Sequence, residues 1–168
     1  MSSLDDFRKE KDELFSTGKE SPLTQEQKNG FNGLKYYPED PSYHVSGGLE
    51  KNPSGEIIAI KTSAGDTQVY KRYGKVSFEL AGKSLSLNVY QGVESGHLFV
   101  PFRDKTNQSE TYHDGRYVEA EEENGKLDID FNYAYNPYCA YSDSFRCPIA
   151  PEENTLNIDI RAGEKKYH

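Results

Sequence analysis

The chain of 168 residues has no tryptophan, one methionine, two cysteines and four histidines. Two cysteines are too few for the multiple-bridge framework of a small secreted domain, and a pair of thiols in a cytosolic protein is normally reduced. Bridging between Cys139 and Cys147 stays open, because it depends on geometry that a sequence does not carry. A structural zinc site takes four Cys or His ligands with close pairs about two to four residues apart. Here the two cysteines are eight apart, so zinc needs His97 and His113 to converge on them by folding. No run is apolar enough to span a bilayer. The first residues, Met-Ser-Ser-Leu-Asp-Asp, are acidic where a signal peptide is basic and then apolar, so a cytoplasmic protein is expected. Basic charge is short as well: 20 Lys and Arg stand against 28 Asp and Glu, a net charge of -8. Such a surface repels phosphate backbones, which argues against nucleic acid or an anionic membrane as partner. There is no phosphate-cradling glycine loop, dinucleotide fingerprint, nucleophile elbow or His-Glu-x-x-His. Those absences exclude the corresponding enzyme classes, and no cofactor is expected.

What is present is enough for one folded domain with its own core. Hydrophobic residues are 34% and aromatic ones 12%, which argues against disorder despite 29% charged residues. Residues 3–17 have helical periodicity. Ser3 and Asp6 have the spacing of a capping box, Leu4, Phe7, Leu14 and Phe15 form a stripe, and Gly18 is the stop. A second short helix is expected from Thr24, where Thr24 and Gln27 also have capping-box spacing.

From residue 55 the period changes from about 3.6 to 2. Strands are expected around Ile58–Ile60, Val76–Leu80, Leu85–Val89, Leu98–Phe102, Leu127–Phe131 and Leu156–Ile160, with weaker ones near 67–73 and 116–121. Turn chemistry separates them at Ala64-Gly65-Asp66, Gly74-Lys75, Gly82-Lys83, Asp114-Gly115 and Asn124-Gly125, the last being the strongest hairpin signal. About eight short strands without helical spacers predict an all-β body, a mainly antiparallel barrel or closed sandwich, with one or two N-terminal helices. The organisation expected is an N-terminal helical segment over 1–30 and a β body over 55–168. Residues 31–55 read as loop with room for one short strand. Residues 132–153 read as a long, aromatic, ordered loop, and ordered loops beyond about 12–15 residues tend to be functional.

The second half carries a resemblance. Leu98-Phe99-Val100-Pro101-Phe102-Arg103-Asp104 begins it, and Glu110-Thr111-Tyr112 and Gly115-Arg116-Tyr117 continue it. Asp130-Phe131-Asn132-Tyr133-Ala134-Tyr135-Asn136-Pro137, Cys139-Ala140-Tyr141, Cys147-Pro148, Pro151-x-x-Asn154 and Ala162-Gly163-Glu164 complete it. This resembles the domain-of-unknown-function family numbered 1684, small prokaryotic proteins, over most of the chain. The resemblance implies no catalytic residue. At His113 and Asp114 this chain departs from the glycine of the family pattern.

Three groups of residues carry enough chemistry to be candidates. Asp130, Asn132 and Asn136 either form the polar floor of a site walled by Tyr135 and Tyr141, or fold back to cap the turns that follow them. Glu110, His113, Asp114 and Arg116 either hold a ligand anion through the guanidinium fork or form an ordinary polar turn. Cys139 and Cys147 are either inert buried thiols or, with His113 or His97 as partner base, a nucleophile, or with His113 a weak metal site. The first expectation is therefore a small-molecule binding protein, anchored by Arg116, Asp130, Asn132 and Asn136 where the 132–153 loop meets the 110–117 turn. The alternative is a hydrolytic enzyme with Glu110 or Asp130 as general base and Arg116 stabilising a developing anion. A structural or interaction domain without a ligand is the third.

Overall fold

The computed structural model describes residues 3–142 and 144–167. Helix α1 covers Ser3–Thr17 and α2 covers Gln25–Asn29. The reciprocal capping box of Thr24 and Gln27 starts α2, as its sequence spacing predicts. The strands are β1 His44–Lys51, β2 Ile57–Lys61, β3 Thr67–Leu80, β4 Lys83–Gly92, β5 Leu98–Phe102, β6 Arg116–Val118, β7 Ala120–Glu123 and β8 Lys126–Asp130. All strand pairs are antiparallel, in the order β6-β5-β4-β3-β1-β8-β7, with β2 lying off this path on β3.

The two ends of that order are consecutive in the chain. Only Glu119 separates Val118, which faces Val100 of β5, from Ala120, which faces Ile129 of β8. The segment 116–123 thus leaves one edge of the sheet and joins the other, and the sheet curls into a nearly closed barrel. The one weak strand expected near 116–121 is therefore two strands belonging to opposite edges.

Two further expectations are corrected. Gly74-Lys75 is not a turn. β3 runs straight through it, with a register shift between Arg72 and Gly74 that bends the strand. That bend lets one edge of β3 pair first with β2 and then with β1. Residues 156–160 do not join the sheet, although their alternation is that of a strand. Leu156, Ile158 and Ile160 are buried as a plug over one end of the barrel, beside Phe131, Ala134 and Ala162. The Asn124-Gly125 turn is as expected: both residues have positive φ (53° and 78°), the requirement of a two-residue hairpin loop matched to strand twist.

The core is the barrel interior, formed by Val76, Phe78, Leu87, Val89, Val100, Phe102, Leu127 and Ile129 with Phe131 at its end. The Phe131 ring meets Phe102 edge-on at 5.1 Å. Of the α1 stripe, only Leu4 and Phe15 are buried, while Phe7 and Leu14 stay largely exposed. The helix docks on the loop end of the barrel as much by polar contacts as by apolar ones: Lys11 reaches Glu164, and Asp12 accepts from the Leu34 amide at 3.0 Å.

Adjacent glycines in β1 offer a test of this packing. A Cβ on Gly47 lies 2.2 Å from the Ser77 carbonyl oxygen, whereas one on Gly48 meets nothing within 4 Å. Gly47→Ala is expected to lose about 1–3 kcal/mol of stability and Gly48→Ala to change it by less than about 0.5 kcal/mol, read from urea unfolding midpoints.

Candidate functional site

Arg116 begins β6 and its side chain turns inward, where it is fully buried. Its Nη1 donates to the carbonyls of Ala162 and of Glu164 (3.1 Å), and its Nη2 donates to that of Ile160 at 2.9 Å. Alternate residues of an extended segment point their carbonyls one way, so a planar fork can collect three of them. Asp104 supplies the countercharge, with Oδ1 at 3.6 Å from Nη2, while its Oδ2 accepts from the Ile160 amide at 2.6 Å. Burial pulls the Arg116 pKa below its usual value, and the Asp104 carboxylate opposes that pull. The donors expected to meet a ligand anion therefore hold the C-terminal plug, and none faces solvent.

The other anchors form similar locks. Asp130 closes β8 and its Oδ1 accepts from the Asn132 amide and side chain, at 3.0 and 2.9 Å. Asn132 in turn pairs through both side-chain atoms with the backbone of Asp40, at 2.9 Å each way. It fastens the chain just before β1 to the barrel. Asn136 donates to the Lys165 carbonyl at 3.0 Å. Tyr141 is buried against Phe15, with centroids 4.9 Å apart, and its hydroxyl donates to Glu164. Burial first, and then the Glu164 carboxylate, push its pKa well above the usual value. Tyr135 donates to Glu119 at 2.8 Å and packs on Tyr117. Glu164 is itself buried, and Lys11 and Tyr141 converge on it. Asn136, Tyr141 and Arg116 do come together, around the 160–165 backbone, but as a sealed interior rather than a concavity. Asp130 and Asn132 lie apart from them, beside Asp40 and His44.

Glu110 accepts from the Tyr37 hydroxyl at 2.8 Å and from two nitrogens of Arg161 at 3.3 and 3.2 Å. Arg161 first and then Tyr37 hold its carboxyl below the usual range. It stays ionised and engaged, and Arg116 faces away from it toward the plug. Cys139 and Cys147 are both free and half-buried. His113 shares a cavity with Cys139, while His97 is bound to Glu119 at 2.9 Å. Among the described residues, no group of three His, Cys, Asp or Glu side chains is placed to hold a metal ion.

The surface opens elsewhere, in a cleft of about 610 Å³ between β2 and the 149–153 segment. Its apolar wall is Ile58, Ile60, Ile149, Ala150 and Pro151, and Arg103, Asp114 and Glu152 stand at its rim. Arg103 is aimed by its Nε, which donates to the Ala150 carbonyl at 2.7 Å. Its two terminal nitrogens meet no partner among the described residues. The neighbouring Arg72 is fully engaged, by Glu153, Glu56 and Asn88.

The backbone of β2 adds polar groups to this cleft. The Thr62 amide bonds to the Asp66 carbonyl and the Arg72 amide to the Glu56 carbonyl. Antiparallel ladders alternate, so Ile58 and Ile60 also turn their main-chain groups to β3, and Ile57, Ala59 and Lys61 turn theirs outward. The Lys61 carbonyl takes the Ile149 amide at 2.8 Å, and the edge is open from Ala59 back. No motif marked this cleft. The only signal was the run Ile57-Ile58-Ala59-Ile60, more apolar than a strand buried on one face requires.

A family model described as "Protein of unknown function (DUF1684)" matches residues 29–165. The solution NMR structure of an uncharacterized protein of Haloarcula marismortui is similar, with 39% sequence identity and a TM-score of 0.75, covering 98% of this chain and 94% of that chain. No curated protein matches.

Two outcomes follow from the locks. Arg116→Met leaves Asp104 buried without its cation and should lower stability by about 3–5 kcal/mol in chemical denaturation; a loss under about 1 kcal/mol contradicts the clasp. Acid should also unfold the protein early. Glu110 and Glu122 lie below the usual carboxylate range through Arg161 and Tyr73 respectively, and Arg72 and Tyr90 hold Glu153 down against the upward pull of burial. A carboxylate with a lowered folded-state pKa stabilises above its unfolded value of 4.5 and loses that contribution as pH falls through the folded value. The urea midpoint should be level above about pH 5 and fall below about pH 4.5, less steeply in Glu153→Gln.

Proposed function

The chain belongs to the DUF1684 protein family, and from that premise we propose that it is a binding protein whose ligand is a small amphiphile with a carboxylate and an amide, seated in the cleft beside β2. A short peptide or an acylated amino acid has this chemistry. The observation that carries the reading is the convergence of three unlike features on one concavity: an apolar wall, a guanidinium with free donors and an open strand edge. Small-ligand sites are built in this way, with mostly apolar lining and a few placed polar groups, in clefts of about 300–1,000 Å³.

Each part of the ligand has a counterpart. The carboxylate takes the terminal nitrogens of Arg103 in a bidentate pair. The amide bonds to the outward N–H and C=O of Ala59, the geometry by which extended peptides extend a sheet. The apolar chain covers Ile58, Ile60 and Ile149. Asp114 and Glu152 at the rim disfavour a polyanion and suit a ligand with a single negative charge. Binding is favoured over turnover by the state of the two candidate bases. Glu110 is tied to Arg161, Asp130 is tied to Asn132, and neither lines the cleft.

Titration with N-acetyl-Val-Leu, followed by amide NMR shifts, tests the reading. The shifts should concentrate in 57–61 and 149–153, and Arg103→Gln should weaken binding about 10-fold or more while the spectrum stays folded. Shifts that avoid both segments, or an affinity unchanged in Arg103→Gln, remove it.

A further inference from the structure

We propose that Cys139 and Cys147 form a redox-active dithiol whose substrate is a low-molecular-weight disulfide, received in the cavity that Cys139 lines. This site is separate from the cleft beside β2 and does not depend on it. The cavity measures about 290 Å³, and Gln108, Thr111, Tyr112, His113 and Lys166 share its walls with Cys139. Cys147 is not part of its lining.

The two thiols are held together by their surroundings. The Cys139 Sγ lies 2.9 Å from the Ser63 hydroxyl, which accepts from the Cys147 amide at 3.2 Å. Both backbones are fixed. Cys139 sits in the single 3-10 turn Tyr138–Ala140, closed by a bond from the Tyr141 amide to the Tyr138 carbonyl. Cys147 is tied through its carbonyl to the Ser63 amide at 2.9 Å. Phe145 joins the two sides: its carbonyl accepts from Cys139 at 2.9 Å and its ring packs on Tyr138 at 5.2 Å. One hydroxyl thus holds the thiol of Cys139 and the backbone of Cys147 side by side, and both cysteines are free to bridge.

The chemistry is thiol–disulfide exchange. The Cys139 thiolate attacks one sulfur of RS–SR. The substrate S–S bond breaks, the Cys139–S–S–R bond forms, and RS⁻ leaves and takes up the proton that Cys139 lost. The Cys147 thiolate then attacks the Cys139 sulfur, forms the internal disulfide and expels the second RS⁻. The dithiol gives up two electrons and the substrate becomes two thiols, so no other oxidant is needed. Cys139 is the attacking residue because it lines the cavity and Cys147 does not. Burial, and next the contact with Cys139, push the Cys147 thiol up to about 12, so it serves second and closes the bridge slowly at neutral pH.

The test uses the reduced wild-type chain with oxidised glutathione, followed by intact mass and peptide mapping. The expected sequence is a transient glutathione adduct on Cys139, then loss of the adduct and of two hydrogen atoms, with one peptide-mapped bond between Cys139 and Cys147. In Cys147→Ser the Cys139 adduct should accumulate, and in Cys139→Ser adduct formation should fall about 10-fold or more. The closing rate should rise about 10-fold per pH unit between about pH 7 and 10. Dimers linked between chains, a first adduct on Cys147, or an internal bridge that forms only after the chain is unfolded in urea would each overturn the proposal. Circular dichroism of both serine variants separates a lost reaction from a lost fold, and the wild-type mass series stands without them.

Discussion

A guanidinium placed where water cannot reach must be given partners, and this molecule is arranged around that requirement. Arg116 gathers the carbonyls of residues 160, 162 and 164 with one fork, and Asp104 balances its charge while taking the Ile160 amide. The extended segment over the barrel end pairs only part of its backbone: Arg103 and Lys105 take up residues 154, 156 and 158. Each group left bare would carry a desolvation penalty of about 1–3 kcal/mol. The Arg116–Asp104 pair supplies partners to the carbonyls of residues 160, 162 and 164 and to the Ile160 amide. It allows Leu156, Ile158 and Ile160 to seal the barrel while their own chain stays outside the ladder. Arginine serves here where lysine would not, because five donors in a rigid plane reach several acceptors at once.

The same device recurs at other breaks in the barrel. Asn154 bonds to Asn88 through both side-chain atoms and to the Pro101 carbonyl, bridging β4 and β5 where their own pairing is short. Asn132 fastens the chain just before β1, and Glu164 collects Lys11 from α1 and Tyr141 from the aromatic loop. Tyr117, Tyr135 and Tyr141 are consumed in this way, as rings packed edge to face with hydroxyls donated to Pro148, Glu119 and Glu164. A barrel locked so thoroughly at its end leaves its open chemistry at two peripheral places. One is the unpaired edge of β2 against the 149–153 segment, and the other is the hollow at Cys139. Both lie along the chain from Cys139 to Glu153, the segment that leaves the barrel mouth and passes along β2.

The strand residues were legible because a half-buried strand must alternate, and the Asn124-Gly125 turn because its φ values demand those residue types. The family was legible in the run from Asp130 to Tyr141, and the match over residues 29–165 supports it. What alternation could not report was membership of the sheet. Leu156, Asn157, Ile158, Asp159 and Ile160 alternate because the plug lies on a core face, and the pattern is the same whether backbone partners come from a strand or from a side chain. Gly74 resembles a turn residue, yet a Cβ there would lie 2.6 Å from the Glu50 carbonyl. It is glycine because β1 crowds it within a bent strand.

For the candidate site the division is sharper. The sequence by itself determined which residues are polar at the ends of apolar strands, which turns are tight and which family the chain joins, because these are local matters of period, φ and residue type. Whether Arg116 faces a ligand or a row of carbonyls, whether Asn136 and Tyr141 enclose a space or fill it, and which edge of β2 stays open were decided only by the tertiary structure. Each depends on partners far along the chain, from Glu164 for Tyr141, 23 positions away, to Lys61 for Ile149, and no local pattern records such a pairing.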